Sequence, residues 1–295
     1  MSDSEAMKLS WSVIKFDRRT TYETPKDRTM YCRRKRLRGV MMQEEGIVRY
    51  WRDGVLGKPE RLSSRSKPIP IFSDALLLTS DTESYRQLAA SQVDSDDKVV
   101  EIGCSTGQTS VILARNASHL VALDTGTSMV EQTQKALGAG NTQLDRRILC
   151  ARVDALVEQD QTLALARTFG SPSVVFVDIG GNREEYNVRA ILKWVRSALP
   201  DLRLVVVKSQ ALYQSTSDTV DKETWWMDLE TACLQCPKHP LQAPMKLVDN
   251  VPICRYHNYH SGGCLKGTRC PYDHIHCHHC LAAGHRAIDC TATTV

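Results

Sequence analysis

The sequence predicts a doubly wound, mostly parallel α/β sheet of the Rossmann-like kind, with a small β-rich region before it and a metal-held tail behind it. Three observations predict this. Between residues 71 and 212, short continuous apolar runs alternate with stretches of helical periodicity. The first of those runs passes at once into a glycine turn. From residue 253 the apolar pattern stops and Cys/His spacing replaces it. A chain of 295 residues has room for one large core and little more.

Residues 1–70 read as short strands and turns. KLSWSVIKF and GIVRYWRDG are rich in β-formers, and the second ends in an Asp53-Gly54 turn signal. Between them CRRKRLRG (32–39) places five basic residues in a run of six. Such a run suits nuclear import or RNA contact, and equally the charged protection of a strand edge. SSRSKPIP (63–70) reads as a linker. Charge is uneven: residues 1–70 hold 17 Lys/Arg against 9 Asp/Glu, and residues 71–252 hold 17 against 23. Basic ends around an acidic middle point to a polyanionic partner or to a solvated basic face. MSDSEAMKLSWS has no apolar signal region, and no apolar run approaches the length of a membrane span. The expectation is a soluble protein of the cytoplasm or nucleus, with no membrane partner and with reduced thiols.

In the α/β region (71–250) the expected strands are KVVEIG, LVALD, ILCARVD, SVVFVDIGG and LRLVVVKS. GQTSVILARNA, TSMVEQTQKALG, QTLALARTF and REEYNVRAILKWVRSAL are the helices between them. DTVDKETWWMDLETAC reads as a further helix and APMKLVDN as a strand. Trp225 and Trp226 suit core packing better than a cleft wall.

The first strand ends in EIGCSTG, so backbone N–H groups and a helix N-terminus gather at the carboxyl edge of the sheet. Gly103 allows a tight turn, and Gly107 a close ligand. Asp124 ends the second strand, where a carboxylate would accept from both ribose hydroxyls. Asp154 ends the third, placed to accept from an adenine amine. Helix capping is the plainer role for such aspartates. These residues resemble the class I S-adenosylmethionine-dependent methyltransferases over about residues 75–212, with E-x-G-x-S-x-G as the first motif and Ser105 where a middle glycine is common. The resemblance implies that Glu101, Gly103, Ser105 and Gly107 surround the methionine part of S-adenosylmethionine. It assigns Asp124 to the ribose and Asp154 with Ala155 to the adenine. A nicotinamide site would usually offer G-x-G-x-x-G, which CSTGQTS lacks. The resemblance also implies a closing hairpin of two strands, which residues 213–252 do not display.

Asp178 ends the fourth strand in VFVDIGG, and Lys208 ends the fifth in VVVKS. Asp178 lacks the prolines and aromatic that base-amine methylation uses. A lysine beside an aspartate in a dry cleft could take a proton from a hydroxyl, which makes Asp178 and Lys208 the catalytic candidates. The pair is similar to the middle of the Lys-Asp-Lys-Glu tetrad of ribose 2′-O-methyltransferases. Lys67 would be its first lysine and Glu223 or Glu230 its glutamate. The plainer reading of Lys208 is a lysine snorkelling at a strand end.

In the tail, Cys254, Cys264, Cys270 and His274 are spaced C-x9-C-x5-C-x3-H, and Cys277, Cys280, His285 and Cys290 are spaced C-x2-C-x4-H-x4-C. Each set offers four ligands, enough to close a tetrahedral zinc ion, so two zinc ions are expected. So short a segment would not fold without metal. The spacings resemble a CCCH zinc finger (251–275) and a CCHC zinc knuckle (276–295), which implies binding to single-stranded RNA, with a protein partner as the alternative. Tyr256, Tyr259 and Tyr272 would stack bases there, and Arg255, Lys266, Arg269 and Arg286 would meet phosphates. His276, His278 and His279 are left over as donors or stacking surfaces. Cys233, Cys236 and His239 read as half of a third site, and Cys32, Cys104 and Cys150 as ordinary thiols.

The whole order resembles a eukaryotic methyltransferase-like family. The expectation is an S-adenosylmethionine-dependent enzyme acting on RNA. The alternatives are an RNA-binding regulatory protein with a non-catalytic α/β scaffold, and a protein methyltransferase.

Overall fold

A computed structural model describes residues 11–24, 26–44, 46–63, 66–138, 146–179, 185–216, 246–259, 262–264 and 266–291. The chain forms two compact units, residues 1–231 and residues 232–295.

In the first unit, strand β1 (Ser12–Lys15) precedes β2 (Thr29–Cys32), β3 (Leu37–Met41), β4 (Ile47–Arg52), β5 (Val55–Leu56), β6 (Glu60–Arg61) and β7 (Pro68–Pro70). Strands β2 to β7 make an antiparallel sheet ordered β5-β4-β3-β2-β7, with β6 also on β4. Met30, Cys32, Val48 and Tyr50 form its small core. The presumed linker is therefore partly strand: Pro68–Pro70 pairs with Met30–Cys32 at an edge, where proline's missing donor costs least.

Next come β8 (Ala75–Thr79), helix α1 (Thr82–Gln92), β9 (Lys98–Ile102), α2 (Gln108–Asn116), β10 (His119–Asp124), α3 (Thr127–Ala136) and β11 (Ile148–Arg152). Then follow α4 (Gln159–Ala166), β12 (Val174–Val177), α5 (Glu185–Ala198), β13 (Leu204–Lys208) and α6 (Gln210–Ser215). Seven strands form one parallel sheet ordered β1-β8-β13-β12-β9-β10-β11. The apolar runs are buried on both faces, as a parallel sheet demands. Tyr85, Leu88 and Leu113 of α1 and α2 seal one face. Val188, Ile191, Leu192 and Val195 of α5 seal the other. Asp81 starts α1 by accepting from the Ser84 N–H at 2.9 Å.

The boundary at residue 70 does not divide one sheet from another. β1 pairs with β8 inside the large sheet, and β2 to β7 are inserted between the two. This also bears on the missing hairpin. The positions beyond β13 are filled by β8 and β1, which come from the N-terminal side of the chain. The expected helix around Trp225 and Trp226 lies outside the described residues, as do Glu223, Glu230, Cys233, Cys236 and His239.

In the second unit β14 (Leu247–Val248) pairs with β15 (Val251–Pro252), followed by the short helix α7 (Arg255–Tyr259). The expected strand in APMKLVDN thus belongs to the tail unit and not to the large sheet. No helix among the described residues is long and apolar enough to cross a membrane.

Candidate functional site

Strands β10 and β12 flank β9 on opposite sides, so the chain reverses its winding direction there. A crevice opens at the carboxyl end of such a switch point. The structure has a cleft of about 220 Å³ at this place, lined by Gly103, Ser105, Asp124, Asp154, Ala155 and Asp178 together with apolar walls that include Leu123, Met129 and Ile191. Register explains the gathering. Ile102 pairs with both Leu123 and Val177, so the residues that follow each strand emerge at one level.

Each loop has a local cause. Gly103 has φ 92°, and a Cβ there would meet the Asp178 carbonyl oxygen at 1.9 Å, so only glycine lets β9 and β12 run this close. Asp124 ties two loops together. Its Oδ2 accepts from the Ser105 N–H and its Oδ1 from the Gly126 N–H, both at 2.9 Å. A carboxylate has about four acceptor sites, so capacity remains for a ligand hydroxyl. Asp154 Oδ1 accepts from the Leu156 N–H at 3.0 Å and shapes the loop after β11.

Two of the predicted residues stand elsewhere. Glu101 does not line the cleft. It is sealed inside the sheet and accepts from Ser110 Oγ at 2.5 Å, and burial pushes its carboxyl up to about 8. Gly107 starts α2 with φ 79°, and a Cβ there would stand 2.8 Å from Thr133 Cα. Its small size serves the packing of α2 on α3, whereas the sequence suggested room for a ligand. Burial pushes the Cys104 thiol to about 12 and the Cys150 thiol to about 11, so neither is a ready nucleophile.

Lys208 Nζ lies 2.6 Å from Asp178 Oδ2 and 3.1 Å from Thr82 Oγ1. Asp178 Oδ1 is buried and has no partner among the described residues. Lys67 does not join this pair; it is exposed and donates to the Arg19 carbonyl at 2.7 Å. Thr82 was invisible in the sequence, because its place beside Lys208 depends on how α1 docks against β13.

The tail gathers two further sets. The ligand atoms of Cys254, Cys264, Cys270 and His274 lie within 4.8 Å of one another, and so do those of Cys277, Cys280, His285 and Cys290. Cys254 Sγ and Cys270 Sγ are 3.8 Å apart, and Cys280 Sγ is 3.3 Å from His285 Nε2. Those spacings suit four ligands around one zinc ion. His274 Nε2 is buried and lacks a partner among the described residues, as a metal-facing nitrogen would without its metal. The leftover histidines have structural contacts. His276 Nδ1 meets Asp273 Oδ2 at 2.5 Å, and His278 Nδ1 meets the Tyr259 hydroxyl at 3.0 Å. The Lys246 amine donates to the His279 carbonyl at 2.8 Å. Asn258, which no spacing singles out, joins the two sets. It is fully buried, donates to the Cys254 and His276 carbonyls, and accepts from the His278 and Ala287 N–H groups.

No family model and no curated protein matches the chain. Among solved structures it is similar to a dimethyladenosine transferase from Plasmodium falciparum, at 20% identity over 39% of this chain and 37% of that one, with a TM-score of 0.29. It is also similar to a putative rRNA methylase from Clostridium thermocellum, at 16% identity over 40% and 64%, TM-score 0.30. The mitomycin 7-O-methyltransferase MmcR matches at 18% identity over 49% and 39%, TM-score 0.32. Each alignment spans less than two thirds of the solved chain. At such scores these likenesses carry no weight for the chemistry. The Rossmann-like fold stands on the strand order, and the site on its own geometry.

Proposed function

We propose that this protein is an S-adenosylmethionine-dependent methyltransferase acting on RNA, and that its Cys/His tail binds two zinc ions and holds the RNA. The observation that carries the reading is the cleft at the β9/β12 switch point, with Gly103, Ser105, Asp124, Asp154 and Asp178 on its wall. Its chemistry fits the donor, which is cationic at sulfur and at its amino group. Three carboxylates line a mostly apolar cleft, and one of their oxygens lacks a partner among the described residues. When bound, S-adenosylmethionine supplies an electrophilic methyl group. Asp124 takes the ribose hydroxyls, and Asp154 and Ala155 take the adenine. Glu101 and Gly107 act from behind, by fixing β9 and the start of α2.

The 2.6 Å contact commits Lys208 to Asp178 as a donor. Asp178, which lines the cleft, is therefore the group that accepts the proton of an incoming hydroxyl, and Lys208 steadies the carboxylate. This exchanges the roles that the sequence suggested. Positioning supplies most of the rate, because a sulfonium is a good leaving group.

RNA as the acceptor is supported by the spacing and clustering of the tail ligands and by the basic N-terminal run. Purified protein incubated with tritiated S-adenosylmethionine and total RNA is expected to label the RNA. Label found only in polypeptide would move the substrate to protein. Calorimetry that detects no S-adenosylmethionine binding would leave an RNA-binding scaffold in place of an enzyme.

A further inference from the structure

A second depression of about 820 Å³ lies in the first unit, where β2 and β3 of the small sheet meet α1 and α2. Five arginines line it: Arg33, Arg36, Arg38, Arg86 and Arg115. Its two acidic residues are already matched. Glu83 is paired with Arg18, and Asp94 with Arg38. Arg38 also donates to the Ser91 and Val93 carbonyls, so its task is to hold the small sheet against the end of α1. Four guanidinium groups remain. Arg33, Arg36 and Arg115 are exposed and have no hydrogen bond or ion pair among the described residues. Arg86 is half-buried, and its Nε is closed off without a partner among those residues. Water serves that group poorly, so an anion gains more there than at an open surface.

Four unneutralised charges in one concave place are costly unless something negative visits. The run CRRKRLRG is thus more than a protected strand edge. Strand pairing and the Arg38 anchor turn two of its arginines toward the charges on α1 and α2. All four are arginine, whose fork matches phosphate oxygens two at a time.

The groove has a direction. Glu83, Arg86, Gln87 and Ala90 recur at helical spacing and so mark one stripe along α1, about 10 Å long. One residue before that stripe, Thr82 contacts Lys208 at 3.1 Å, and Lys208 contacts Asp178 at 2.6 Å. The stripe therefore runs along α1 toward the cleft edge.

We infer that this arginine groove is a track for the phosphate backbone of a single-stranded RNA, leading the strand along α1 to the Asp178–Lys208 edge. This rests on the RNA reading above, but its test does not depend on methyl transfer. The full chain is titrated against a fluorescently labelled, unstructured RNA without S-adenosylmethionine, at several salt concentrations. Arg33→Glu, Arg36→Glu and Arg115→Glu in combination are expected to weaken binding tenfold or more. The slope of log affinity against log salt should become shallower by about 2, since each lost single-strand phosphate contact removes roughly 0.7. The same three positions changed to alanine should move both quantities in the same direction, which guards against a folding defect of the reversed-charge variant. Unchanged affinity and slope in a variant that still binds S-adenosylmethionine would overturn the track and assign RNA binding to the tail alone. Displacement of the RNA by polyglutamate of equal charge would overturn it in favour of an acidic peptide. A slope change in the variants, with a wild-type chain that never labels RNA, would sink the enzyme reading and leave the track standing. Labelled RNA with an unchanged slope would do the reverse.

Discussion

Asp124, Asp154 and Asp178 stand at or just past the ends of strands in a sheet sealed from water on both sides, by Val100, Leu123 and Val175 on one face and by Ala122, Phe176 and Val206 on the other. Cys254, Cys270, Cys280 and His285 stand on turns with almost nothing apolar beneath them. Among the described residues of the tail unit, the only buried hydrophobics are Ile253 and two of the ligand cysteines, Cys254 and Cys277. The cleft is built by burial and needs no ligand to exist. The tail has its ligands in place but little else to keep them there. One site should survive the loss of what it binds, and the other should not.

A chelator is expected to have the largest effect, and on the tail alone. Metal removal is expected to unfold the tail, because structural zinc contributes on the order of 10 kcal/mol or more to such modules. Calorimetric binding of S-adenosylmethionine by the first unit should remain. Backbone amide spectra read both at once. A tail that stays folded after chelation, or a cleft that is lost with it, would end the division.

Next in size is Lys208→Ala. If Asp178 takes the proton and Lys208 steadies it, turnover should fall by roughly 10²–10⁴-fold, the usual range for a disturbed acid–base pair. Cofactor affinity should stay close to that of the parent, since Lys208 is not part of the cleft lining. A loss of affinity equal to the loss of turnover would instead make the lysine part of the binding wall.

The pH dependence of stability separates the units further. Burial raises the Glu101 carboxyl to about 8 in the folded state. In an unfolded chain it would ionise near an ordinary glutamate value, about 4.3. Above that value the unfolded state binds fewer protons than the folded one, so the stability of the first unit should fall as pH rises toward about 8. Glu101→Gln should flatten this decline in thermal melts. Persistence of the same slope in the variant would place its origin elsewhere.

Much of this was legible in the sequence because it depends on local pattern. KVVEI, HLVAL and LVVVK could hardly be other than buried strands, and the tail spacings pick out the same two Cys/His sets that the structure gathers. What stayed hidden depends on contacts between distant segments. β1 looks like its neighbours in the small sheet, yet it crosses to pair with β8, 63 positions further on, through Ser12 and Ala75. Gly107 carries a motif glycine's identity, and only the approach of Thr133 from α3 shows that packing uses it. Thr82 and Arg86 carry no signal until α1 is docked.

Asn258 is the subtlest of these and gives the smallest expected effect. Its side chain makes four hydrogen bonds with backbone groups, at 2.8 to 3.3 Å, from both ligand sets. Asn258→Ala would leave the buried N–H of His278 and that of Ala287 without the acceptor they share, at a cost of about 1–3 kcal/mol. Each four-ligand set would keep its own closure, so metal stoichiometry should stay at two. What should change is the coupling: zinc release from the two sets, followed with a chromogenic chelator, would become two separate phases. If the variant and the parent both release their metal in one step, the metals alone couple the two Cys/His sets and the asparagine is a spectator. In that case even a fully buried side chain bonded to both sets would add nothing to what the ligands already do.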